Sequence, residues 1–199
     1  MRATIITILS IFLLVSAEVE DFDTARAAES SIFSQALPGY SYQFPKDFNS
    51  HDNFRIEWWY YTGNLEEVKT TRPFGYQLTF FRVALDKKDI NSNPSKWRVG
   101  HVYFAHMTLT DIDGKQFYYF ERINRKGIGN AGADSDRLMV WNEDWLLEGK
   151  DKLHSLKAVE SGIGIELQLV PEKRLVIHGE NGISKKGREK DNTSHYFSY

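Results

Sequence analysis

The chain has 199 residues, 25 Lys and Arg against 27 Asp and Glu, and a formal net charge of −2, which suits one globular domain and supplies no basic surplus for a nucleic-acid partner. Zero Cys removes disulfide frameworks, thiolate metal sites and a thiol nucleophile, leaving any chemistry to carboxylates, His, Tyr, Ser, Arg or Lys. Rings are plentiful, with 5 Trp, 10 Tyr and 13 Phe, and such side chains fill cores or line ligand cavities.

Residues 1–17 carry Arg2, an apolar run over 5–15 broken only by Thr7 and Ser10, and the small residue Ala17. This pattern predicts a cleavable signal peptide and a secreted or periplasmic protein. The run is shorter than the ~20 residues of a bilayer span, so no stable membrane span is expected after cleavage. Residues 18–37 are polar and acidic and read as a flexible spacer ending at the turn Pro38-Gly39.

From Pro45 the chain becomes a series of short runs rich in aromatic and β-branched residues, punctuated by Gly, Asn, Asp and Pro. This predicts an all-β, antiparallel sandwich or barrel over 38–199. Strands are expected at 55–65, 74–85, 100–110 and 116–123, with Asp113-Gly114 marking a hairpin between the last two. Residues 126–137 are rich in Gly and Asp and read as a loop over a cavity mouth. Later strands are expected at 145–148, 153–159, 163–170, 175–178 and 195–199.

Alternation in the first strand puts Glu57, Trp59 and Tyr61 on one face, and in the second it separates Tyr76, Leu78 and Phe80 from Gln77, Thr79 and Phe81. The second of those faces is semi-polar, as a cavity wall would be. Candidate ligand-binding residues are therefore Trp59, Tyr61, Gln77, Thr79, Phe81 and Arg82. Glu57 and His106 are the candidate acid–base groups: a carboxyl among rings can act as a general acid, whereas pairing with Arg55 or Arg82 would make Glu57 a structural ion. His106 likewise reads either as a proton-transfer group or as a hydrogen-bonded structural one. The sequence has no Gly-x-Ser-x-Gly elbow, phosphate loop, dinucleotide fingerprint or His-Glu-x-x-His, and its histidines are dispersed, so neither a cofactor nor a metal is expected.

The stretch Phe44-Pro45-Lys46-Asp47, then His51 and Phe54-Arg55-Ile56-Glu57-Trp58-Trp59-Tyr60-Tyr61-Thr62-Gly63-Asn64-Leu65, resembles the signature of the AttH family, the lipocalin-like proteins that include carotenoid 1,2-hydratase. Phe74 to Arg82, Tyr103-Phe104-Ala105-His106, Leu147-Glu148-Gly149 and Gly182-Ile183-Ser184-Lys185-Lys186-Gly187 extend the likeness. The resemblance implies a lipocalin-like barrel, followed in the family by a second one, and many bacterial members are secreted proteins called predicted hydrolases. It also implies that this chain stops short of the end of the first barrel, without an acidic segment tied to activity in the hydratases. The implied function is binding of a hydrophobic, unsaturated ligand such as a polyene or lipid-like molecule, with hydration of a C=C bond in the full-length family. The alternative is a noncatalytic carrier, or an attachment-related protein that engages envelope components.

Overall fold

The computed structural model describes residues 33–85, 99–188 and 192–199, so the predicted leader and residues 18–32 of the predicted spacer lie outside the described residues. Alternating aromatic and aliphatic residues build the first sheet, which is antiparallel throughout. Its strands are β1 (Ile56–Glu66), β2 (Pro73–Ala84), β3 (His101–Asp111) and β4 (Gln116–Arg125), in the order β1-β2-β3-β4. The register pairs Trp59 with Phe80, Tyr61 with Leu78, Phe80 with Ala105 and Leu78 with Met107, so these side chains share the buried face.

The predicted turn after β3 is present. The Asp111 carboxylate accepts from the Gly114 amide at 2.9 Å and from Arg72 Nε at 3.0 Å. Gly114 is needed there because a Cβ would run into the Asp111 carboxylate, while Lys115 takes the left-handed conformation at φ 51°.

A second antiparallel sheet follows as a meander: β5 (Ala131–Ala133), β6 (Met139–Asn142), β7 (Trp145–Lys150), β8 (Leu153–Glu160) and β9 (Ile163–Leu169). Trp145, Leu147, Leu156, Ala158 and Ile165 from this sheet join the buried residues of the first in one continuous core. The segment read as a mouth-covering loop instead contains a 3₁₀ turn (Lys126–Ile128) and β5. Gly132 allows the Trp141 ring to lie against the strand while Ala131 and Ala133 point into the core, so small residues here mark close packing rather than an exposed loop.

The barrel is not closed. Among the described residues β1 and β4 are the outer strands of one sheet and β5 and β9 of the other, and no strand of one pairs with a strand of the other. The C-terminal part forms two short ribbons, β10 (Val176–Ile177) with β13 (Phe197–Ser198) and β11 (Ile183–Lys185) with β12 (Thr193–His195). Tyr196, between β12 and β13, hydrogen bonds through its hydroxyl to that of Tyr60 on β1, and Thr193 Oγ1 donates to the Ala36 carbonyl at 2.8 Å. Residues 36–199 form one unit. No helix among the described residues is long and apolar enough to cross a membrane.

Candidate functional site

A cavity of about 430 Å³ opens along the unpaired edge of β1. Tyr40, Tyr42 and Phe48 from the segment before β1, Trp59 and Tyr61 from β1, and Phe197 and Tyr199 from the C-terminal strap supply much of its wall. Leu169 and Val170 at the end of β9 complete the apolar lining. The rings brace one another edge to face: Phe44 on Phe197 with centroids 4.9 Å apart, Phe48 on Phe197 at 5.5 Å and Tyr40 on Tyr42 at 5.1 Å. Trp59 Nε1 donates to the Phe48 carbonyl at 2.9 Å, tying the irregular segment to the strand.

One wall carries charge. The 3₁₀ turn Lys46–Phe48 brings Asp47 toward His51, and β1 brings Glu57 to the other side of the same imidazole. His51 Nδ1 lies 2.7 Å from Glu57 Oε1, and Nε2 lies 3.3 Å from Asp47 Oδ1. Both ring nitrogens thus face carboxylate oxygens, which is the arrangement of a doubly donating imidazolium. The Glu57 hydrogen bond, the Glu57 charge and Asp47 raise the His51 pKa against the opposing effect of burial. Asp47 is itself held by the Tyr40 hydroxyl at 2.6 Å and by the Gln43 amide.

Glu57 is surrounded by donors. Besides His51 Nδ1 it accepts from the His51 amide at 3.0 Å, from Ser50 Oγ at 3.2 Å and from Arg82 Nε at 3.3 Å. Arg82 is fully buried and also donates through Nη2 to the carbonyls of His51 at 2.8 Å and Phe54 at 3.0 Å. A carboxylate so supplied is an acceptor that positions its neighbours. Two further histidines border the cavity: His195, whose ring lies 4.5 Å from that of Tyr40, and His154, whose Nδ1 lies 2.8 Å from the Tyr61 hydroxyl. Burial lowers the pKa of both, so they are neutral where His51 is charged.

Glu57, Trp59 and Tyr61, singled out from the sequence, all line the cavity. Arg82 stands behind Glu57 as its buried partner. Gln77, Thr79 and Phe81 are not among the lining residues: the register sets them opposite Thr62, Tyr60 and Trp58, on the face away from Trp59, and while those three β1 residues reach the cavity from the edge strand, β2 lies one strand further in. The semi-polar face of β2 is the one turned away from the core, although Thr79 is itself buried there, and from the apolar face Tyr76 joins the wall begun by Trp59 and Tyr61. His106 is also on the outer face, between the rings of Phe81 at 5.6 Å and Tyr119 at 6.0 Å, and 3.9 Å from Glu121. It does not meet Glu57. Sequence reading missed Tyr40, Asp47, His51, His154 and His195 as parts of one site. For the first three the available signal was a polar cluster immediately before the aromatic strand.

The charged wall makes a pH signature. Because the His51 pKa is raised in the folded state, its stabilisation is complete below the unfolded value of about 6.5 and is lost as pH rises through the folded value. The difference in unfolding free energy between the native chain and His51→Gln should accordingly shrink as pH is raised above about 6.5 in urea titrations. His154 and His195, with lowered pKa values, have the opposite sign and weaken the fold on acidification below about 6.5. A difference that grows with pH would contradict the assignment of His51 as the imidazolium.

Two antiparallel sheets around one core, unclosed and holding a ring-lined cavity along the edge of β1, define a lipocalin-like protein. The AttH-like family profile matches residues 35–199, and the chain belongs to that family. A crystal structure of a protein from Nitrosomonas europaea, provisionally named AttH, is similar at 32% identity with a TM-score of 0.72, over 83% of this chain and 49% of that one. This chain thus spans about half the length of the solved relative. A search of curated proteins finds no match.

Proposed function

We propose that this chain forms the ligand compartment of an exported lipocalin-like protein that takes up a hydrophobic, unsaturated molecule and, in its full-length form, adds water across a C=C bond. The observation that supports this reading is that the ring-lined cavity and the His51 imidazolium share one wall. Protonation of an alkene carbon by His51 Nε2–H forms the new C–H bond from the π pair and leaves a carbocation. The faces of nearby rings stabilise that cation. Water then bonds to it and gives its surplus proton to neutral His195; His195 releases that proton to solvent and His51 takes one up from it, so the sum is alkene plus water to alcohol. Glu57, saturated with donors, acts by position, holding His51 charged.

That same saturation favours a second reading, a noncatalytic carrier in which the Asp47–His51–Glu57–Arg82 array only braces the wall. Both readings require binding. Diphenylhexatriene, a polyene hydrocarbon that fluoresces in apolar surroundings, should bind the chain. Phe197→Ala, which removes a ring from the strap, should weaken it by about 0.5–1.5 kcal/mol in a fluorescence titration. Absence of binding would overturn the compartment reading. Export is tested separately: the product made with its own leader should begin at Glu18, and an intact Met1 on the exported protein would refute cleavage.

A further inference from the structure

Tyr61 and His154 both line the cavity, yet the proton-transfer reading leaves them unused. The Tyr61 hydroxyl has one proton to give, and among the described residues His154 Nδ1, at 2.8 Å, is its hydrogen-bond partner. With the hydroxyl donating and Nδ1 accepting, the ring proton of a neutral His154 sits on Nε2. Burial pushes the Tyr61 pKa up and the His154 pKa down, so both members stay uncharged near neutral pH. The imidazole is held edge-on between Phe48, at a centroid distance of 5.5 Å, and Tyr199, at 6.2 Å. No protein acceptor meets its Nε2–H among the described residues. The side chains lining the cavity include neither Lys nor Arg, and the His51 imidazolium is already matched by two carboxylates.

We infer that His154, which also borders a second hollow beside Lys46 and Asn49, turns its Nε2–H to the ring-lined cavity as a fixed, neutral donor for an uncharged oxygen of the ligand, so that the cavity selects unsaturated molecules carrying a carbonyl, hydroxyl or ether oxygen over the bare hydrocarbon and over carboxylates. This rests on the hydrophobic-compartment reading and gives it a substrate class. A donor with a set direction rewards an acceptor, while a carboxylate entering here would lose its hydration without gaining a counter-ion.

The test compares diphenylhexatriene, its methyl-ketone derivative and its propionate derivative on the full chain, on His154→Phe and on Tyr61→Phe. The native chain should bind the ketone about three- to tenfold tighter than the hydrocarbon, the range that one net hydrogen bond confers, and the propionate more weakly than either. His154→Phe should erase the ketone's advantage over the hydrocarbon, bringing the ratio of their affinities to within about twofold of one. Tyr61→Phe, which frees the ring proton to move to Nδ1, should erase part of it. In the native chain, ¹⁵N NMR of His154 should report protonated Nε2 and bare Nδ1. Equal affinity for ketone and hydrocarbon in the native chain, tighter binding of the propionate, or a protonated Nδ1 would each overturn the inference while leaving the compartment standing. Failure of the hydrocarbon itself to bind would remove both. Should His154→Phe fail to fold, the NMR tautomer and Tyr61→Phe decide the matter.

Discussion

Replacing Arg82 by Met should lower the unfolding free energy by about 3–5 kcal/mol, the range for breaking a buried ion pair by removing one partner. Arg82 is fully buried, and its guanidinium serves Glu57 and the carbonyls of His51 and Phe54 at once. Met fills much of the volume but satisfies none of those acceptors. Part of the loss should return in the double variant Arg82→Met with Glu57→Leu, because the partly buried carboxylate is then gone as well. Urea unfolding of the two single variants and the double variant measures the coupling directly. A loss below about 1 kcal/mol for Arg82→Met would mean that water replaces the guanidinium, and the array would not be the brace described here.

The second large effect concerns turnover. If His51 delivers the proton, His51→Gln should reduce hydration of an unsaturated ligand by about 10²–10⁴-fold, the usual contribution of a general acid, while ligand affinity stays within about tenfold. Gln keeps an amide donor for one of the two carboxylates but has no transferable proton at neutral pH. Glu57→Gln supplies the complementary test, because it removes the hydrogen-bonded carboxylate that raises the His51 pKa. Any such rate should then fall away at lower pH than in the native chain, with smaller loss at the acidic end of the profile. A pH profile unmoved by Glu57→Gln would detach Glu57 from the proton, and a turnover unmoved by His51→Gln would return the site to the carrier reading.

The strand face of Glu57, Trp59 and Tyr61 was legible because a period of two is written locally in the chain. So was the hairpin at Asp111 to Gly114, where the turn chemistry is carried by adjacent residues. What escaped was register and long-range docking. Gln77 and Phe81 look as suited to a cavity as Tyr76 and Phe80 until β1 pairs with β2 and fixes which face meets Trp59. Asp47 and His51 lie in a segment without periodicity, and His195 reaches Tyr40 only because the C-terminal ribbons fold back across β1. The small residues of β5 were read by composition as loop, whereas their burial depends on Trp141 and the facing core. Even His106, on a strand that was correctly anticipated, could not be placed relative to Glu57 without knowing that the core lies on the other side.

The seam between β1 and β9 gives the protein an unusual reporter. A molecule seated there would touch the end of one sheet, the edge of the other and the strap at the same time, and would act as a removable stitch between parts of the chain that share no ladder. Its free energy of binding adds to the resistance to melting, by about 2.7 kcal/mol when its concentration is a hundred times its dissociation constant. Screening chemically diverse apolar compounds by thermal shift would therefore rank natural ligands without any prior assay for what the protein does to them.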